Sequence, residues 1–109
     1  MSRTAATRIE LLYFDGCPHH DVLLPRLRRL VDTSDTELDL ETRRIETENE
    51  ARQARFLGSP TVRVDGRDIE PGADARDDYG VKCRLYRTEA GLMGLPPESW
   101  LTATLIAAG

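Results

Sequence analysis

With 109 residues, 39% of them hydrophobic and 31% charged, the chain has the size and composition of one soluble globular domain, residues 1–109, able to build a core without disulfide or metal staples. No apolar run approaches the ~18 residues of a membrane span and no signal-type apolar segment opens the chain, so a cytoplasmic location with no membrane partner is the expectation. Net charge is −4, and the basic residues, all arginine except Lys82, are scattered among acids, which argues against a nucleic-acid surface.

In chain order, Arg8-Ile9-Glu10-Leu11-Leu12-Tyr13-Phe14 is apolar on both faces and is stopped by Asp15-Gly16, the pattern of a central strand. Val22, Leu23, Leu27, Leu30 and Val31 then recur at helical spacing, predicting an amphipathic helix from about Pro18 to Asp32 with a kink at Pro25. Glu37 to Thr42 alternates polar with apolar and runs on toward Ile45, a half-buried strand. Thr47-Glu48-Asn49-Glu50 matches a capping box, and Gly58 reads as the stop of a helix from Glu48 to Leu57. Ser59-Pro60-Thr61 leads into two short strands joined at Asp65-Gly66, a hairpin ending near Ile69. The stretch from Pro71 to Gly80 reads as a loop, Lys82 to Arg87 as one more short strand, and Pro97 as the first residue of a closing helix through Trp100, Leu101, Leu105 and Ile106 to the final Ala-Ala-Gly. Trp100 belongs to the core on this reading.

The chemistry concentrates at Cys17-Pro18-His19-His20. A helix start carries unpaired backbone N–H groups and about half a positive charge, so a cysteine there is biased toward the reactive thiolate. The bland alternative is a partly buried cysteine with no task. His19 and His20 serve as charge partners for the thiolate, as soft-metal ligands beside Cys17, or as plain surface histidines. Asp15 beside them is more simply a turn former than a proton acceptor. The other cysteine, Cys83, reads first as a small buried hydrophobe beside Leu85 and Tyr86, and alternatively as a resolving thiol. Two cysteines 66 positions apart supply neither a disulfide framework nor a zinc ribbon.

The order strand, helix, strand, helix, hairpin, helix, with a thiol at the first strand-to-helix junction and Gly58-Ser59-Pro60-Thr61 before the hairpin, resembles the thioredoxin-like superfamily. The resemblance spans Arg8 to Ile69 and the closing helix. It implies an α/β fold with a four-stranded mixed sheet (β-α-β-α-β-β-α) flanked by helices, and an extra loop or short strand before the last helix. Cys17-Pro18-His19-His20 looks like the Cys-Pro-His-Cys of disulfide-oxidising enzymes with His20 in place of the second cysteine. The candidate site is Cys17, His20, Pro60 and Cys83 as catalytic residues, with Pro18, His19, Ser59 and Thr61 binding substrate; of the loop Gly58 to Thr61 the resemblance carries over to Pro60 only, which it implies to be cis. Its implied partner is a disulfide-containing protein or a low-molecular-weight thiol such as glutathione, with no cofactor and no dedicated metal site. Because His20 removes the usual resolving thiol, exchange would be monothiol or would use Cys83. A soft-metal binding module of mercury or copper type and a non-catalytic interaction scaffold are the other readings.

Overall fold

The computed structural model describes residues 6–108. The stretch 1–5, which the sequence assigns to no element, and Gly109, the expected end of the closing helix, lie outside the described residues. β1 (Thr7–Tyr13) leads through Asp15-Gly16, with Gly16 at φ 88°, into α1 (Pro18–Thr33). Then come β2 (Leu38–Arg44), α2 (Glu48–Gln53), β3 (Thr61–Val64), β4 (Arg67–Asp68), a short 3-10 turn at Ala73–Ala75, β5 (Tyr86–Thr88), β6 (Gly91–Met93) and α3 (Glu98–Ala108). Among the described residues no helix is long and apolar enough to cross a membrane.

A four-stranded mixed sheet in the order β2-β1-β3-β4 carries the α/β fold. β1 pairs parallel with β2 from Thr7↔Leu38 to Tyr13↔Arg44, and antiparallel with β3 from Ile9↔Val64 to Leu12↔Thr61. The apolar character of β1 on both faces now has its cause, because alternate residues of a strand face opposite sides of the sheet and both sides are covered. Ile9 and Leu11 join Val62, Val64 and Ile69 against Leu23 and Leu27 of α1, with Leu101 and Leu105 of α3 packed beside them. Leu12 instead joins Ile45, Ala51 and Phe56 in a second cluster, against α2. Trp100 packs on the first cluster, as its spacing predicts.

α1 keeps helical backbone through Pro25, where the sequence predicts a kink. The cap of α2 follows the sequence, with the Glu50 N–H donating to Thr47 Oγ1 at 3.1 Å and the Glu50 carboxylate reaching back to accept from the Thr47 hydroxyl at 3.5 Å and from the Glu46 N–H at 3.2 Å. α2 ends four residues before Leu57, however. Arg55 adopts φ 55° and turns the chain out of the helix, so Gly58 is not its stop. The Asp65-Gly66 hairpin is as expected, both residues having positive φ (49° and 84°), the signature of a type I′ turn. The strand expected over Lys82 to Arg87 is also displaced: only Tyr86–Thr88 is strand, and it pairs with β6 across the glycine-containing turn rather than with the main sheet.

Gly58 has a different task. It sits at φ 124°, and a Cβ there would come within 3.0 Å of both Arg84 Cβ and Lys82 O, because the segment 80–86 passes directly over it. Gly66 also has positive φ but has nothing within 4 Å of a Cβ. Gly58→Ala is therefore expected to lower stability by about 1–3 kcal/mol in urea titration, and by more than Gly66→Ala, which meets backbone strain without the clash.

Candidate functional site

β1 delivers Cys17 to one end of the sheet. Cys17 is the N-cap of α1, with extended backbone (φ −74°, ψ 115°) and Pro18 as the first helical residue. Its N–H donates to Phe14 O at 3.4 Å. Pro18 has no N–H to satisfy, so the first-turn donors left without intrahelical partners are those that follow it, directed back toward the Cys17 end. Thr61, opposite Leu12, starts β3 at the same end of the sheet, and the peptide bond before it, Ser59–Pro60, is cis. The topology thus brings Cys17 and the Ser59–Pro60 bond to one sheet end.

Cys17 is 2% exposed, so the thiol is covered rather than presented. The two histidines are half-buried and part company. The His20 ring stacks on Tyr13 at 3.8 Å between centroids, with Nδ1 3.2 Å from Asp21 Oδ1. The His19 ring lies against Gly94, where any Cβ would collide with it, and its Nδ1 is buried without a hydrogen-bond partner among the described residues. The surface-histidine reading is thereby corrected: each ring is held by packing, one on the end of β1 and one on the chain after β6. Asp15 is exposed in its turn.

Cys83 reverses its first reading as a buried hydrophobe. It is exposed, and so is Leu85, whereas Arg84 and Tyr86 between and after them are buried. Both cysteines are free thiols. The segment carrying Cys83 lies along Ser59: the Ser59 N–H donates to Lys82 O at 2.8 Å and the Arg84 N–H donates to Ser59 O at 2.9 Å, making Cys83 the parallel bridge partner of Ser59. Both backbone groups of Ser59 are thus taken by the chain itself. Ser59 is fully buried and its Oγ has no partner among the described residues.

An unforeseen polar cluster holds this segment down. Arg84, with a wholly buried side chain, donates bidentately to Asp68 (2.8 and 3.0 Å), to Glu70 at 2.7 Å and to Thr61 Oγ1 at 2.9 Å. Thr61 Oγ1 in turn donates to Gly58 O at 2.6 Å, and the Tyr86 hydroxyl donates to Pro60 O. The Arg84 guanidinium carbon lies 4.5 Å from the Tyr86 ring centre, a cation–π contact. Burial works against the Arg84 charge, and the Tyr86, Asp68 and Glu70 contacts outweigh it, holding its pKa above the ordinary arginine value. Burial also pushes the Tyr86 phenol up, which keeps it a donor. Arg76 extends the cluster outward to Glu70 and Asp78, and its bonds hold the Asp78 carboxyl below the usual range. The N-terminal end of the segment is tied by the Val81 N–H, which donates to the Glu48 carboxylate at 3.1 Å.

The sequence signal for Arg84 is its alternation. Period two puts Lys82, Arg84 and Tyr86 on one face and Val81, Cys83 and Leu85 on the other. Only the two carboxylates Asp68 and Glu70, equally spaced on the hairpin, reveal that Arg84 and Tyr86 turn inward, while Lys82 stays exposed against Asp78. Among the described residues no group of three His, Cys, Asp or Glu side chains is placed to hold a metal ion.

Compared with known proteins, the chain matches no family model and no curated protein.

Burial separates the two thiols chemically, since modification of a covered cysteine waits on local opening. Under native conditions iodoacetamide is expected to label Cys83 promptly and Cys17 at least about tenfold more slowly, read by peptide mass mapping, and equal rates after unfolding in urea would confirm that cover alone makes the difference.

Proposed function

We propose that this chain is a thioredoxin-like thiol protein that carries out thiol–disulfide exchange through Cys17, with Cys83 as the resolving thiol. The observation that carries the proposal is the bridge between Ser59 and Cys83, which returns the second cysteine to the residue before Pro60, at the sheet end where β1 delivers Cys17. The strand order β2-β1-β3-β4 and the thiol at the N-cap of α1 support the family resemblance.

In the exchange, the Cys17 thiolate attacks one sulfur of a partner disulfide. A Cys17–partner bond forms, the partner S–S bond breaks, and the released thiolate takes a proton from water. The Cys83 thiolate then attacks Cys17 Sγ and displaces the second partner thiol, so that the protein dithiol is oxidised and the partner disulfide is reduced to two thiols. Closure needs the two Cα atoms within about 7 Å. His20 stands where the usual resolving thiol would be, and its stack on Tyr13 gives it a packing role at the helix start.

The burial of Cys17 favours one competing reading, a non-catalytic scaffold in which the thiol is a small core residue. Oxidised glutathione separates the two. The exchange reading predicts that the wild-type protein loses two hydrogens by forming a Cys17–Cys83 disulfide, and that Cys83→Ser accumulates a glutathione mixed disulfide on Cys17, both read by intact mass and peptide mapping. A Cys83→Ser protein whose Cys17 stays reduced while folded would leave the scaffold standing.

A further inference from the structure

We infer that the segment 80–86 is an in-cis occupant of the site's strand-pairing edge and that Arg84 and its partners set what kind of disulfide reaches Cys17. The inference rests on the exchange reading above and specifies its substrate class: compact disulfides react with this segment in place once Cys17 is uncovered, and extended peptide disulfides only when the segment is displaced.

An extended chain recognised beside a nucleophile docks by adding a strand, its backbone bonding to a free N–H and C=O on the sheet edge. Ser59, next to Pro60, is the residue positioned to offer that pair, and both groups are taken, by Lys82 O and the Arg84 N–H. The occupant is held in four further ways. Gly58 admits its close approach, Arg84 is locked to Asp68, Glu70 and Thr61, the Tyr86 hydroxyl donates to Pro60 O, and the Val81 N–H is held by Glu48. A peptide must therefore break both Ser59 bonds before making its own, whereas a small disulfide without backbone amides needs neither.

Two backbone hydrogen bonds are worth roughly tenfold in a rate or an affinity. The segment is thus expected to suppress peptide exchange by about that factor relative to a compact disulfide.

The test compares two probes with the same leaving group, bis(2-hydroxyethyl) disulfide and a linear heptapeptide whose central cysteine carries a mercaptoethanol cap. Consumption of the Cys17 thiol is followed for each in a Cys83→Ser background. Two variants release the segment: Arg84→Met, which removes the buried lock, and the double variant Glu48→Ala with Tyr86→Phe, which cuts the outer ties and keeps the ion cluster. The double variant decides if Arg84→Met fails to fold by circular dichroism.

The expected result is a peptide-to-compact rate ratio that rises about tenfold on release. General loosening that merely uncovers Cys17 raises both rates and leaves the ratio where it was. An unchanged ratio in a folded released variant, or a peptide preference already present with the segment intact, overturns the inference while leaving exchange through Cys17 in place. Consumption of neither probe by any folded form removes the exchange reading and this inference with it.

Discussion

The guanidinium of Arg84 is wholly buried and bonds four oxygens, from Thr61, Asp68 and Glu70, and the path of the chain between Gly80 and Tyr86 follows from the need to satisfy it there. A buried cation left without its carboxylates costs several kcal/mol, so the hairpin that supplies Asp68 and Glu70 and the segment that supplies Arg84 are stable only together. With Arg84 seated, its own N–H meets Ser59 O, Tyr86 reaches Pro60 O, and Gly58 is the residue that fits beneath. One ion cluster thereby joins the edge strand of the sheet, the Ser59–Pro60 loop and the chain that carries the second cysteine.

That arrangement shapes the chemistry in two opposing ways. It returns Cys83 to the sheet end where Cys17 caps α1, the placement on which the proposed exchange rests. It also fills the backbone edge that a peptide would use, at an end where Cys17 itself is covered and His19 is pinned against Gly94. Access of an extended peptide on this account is gated by local opening of the 80–86 segment, the kind of sub-global event that functional covers use.

Much of this was legible in the residues, for reasons that also explain where legibility ended. β1, α1, β2, the Asp65-Gly66 hairpin and α3 declare themselves through local patterns: both-face hydrophobicity, helical spacing, alternation, a type I′ turn pair and a proline before the last helix. Cys17 at the helix start follows from the same local logic. The end of α2 is hidden because Gly58 looks like a helix stop, whereas Arg55 makes the turn and Gly58 serves a neighbour in space. The inward turn of Arg84 and Tyr86 is hidden for a related reason. Alternation shows which residues share a face but not which face is buried, and apolar Cys83 and Leu85 made the wrong face the natural choice. Only the long-range partners Asp68 and Glu70 reverse it, and no local window contains them.

The clasp of the 80–86 segment on Ser59 is the central claim, and native-state hydrogen exchange measures it directly. The account predicts that the amides of Ser59 and Arg84 share one protection factor, because a single opening breaks both bonds, and that this factor lies well above exposed turn amides and below the amides of β1. Ser59 and Arg84 amides exchanging as freely as those of an exposed turn, or with unrelated protection, would contradict it.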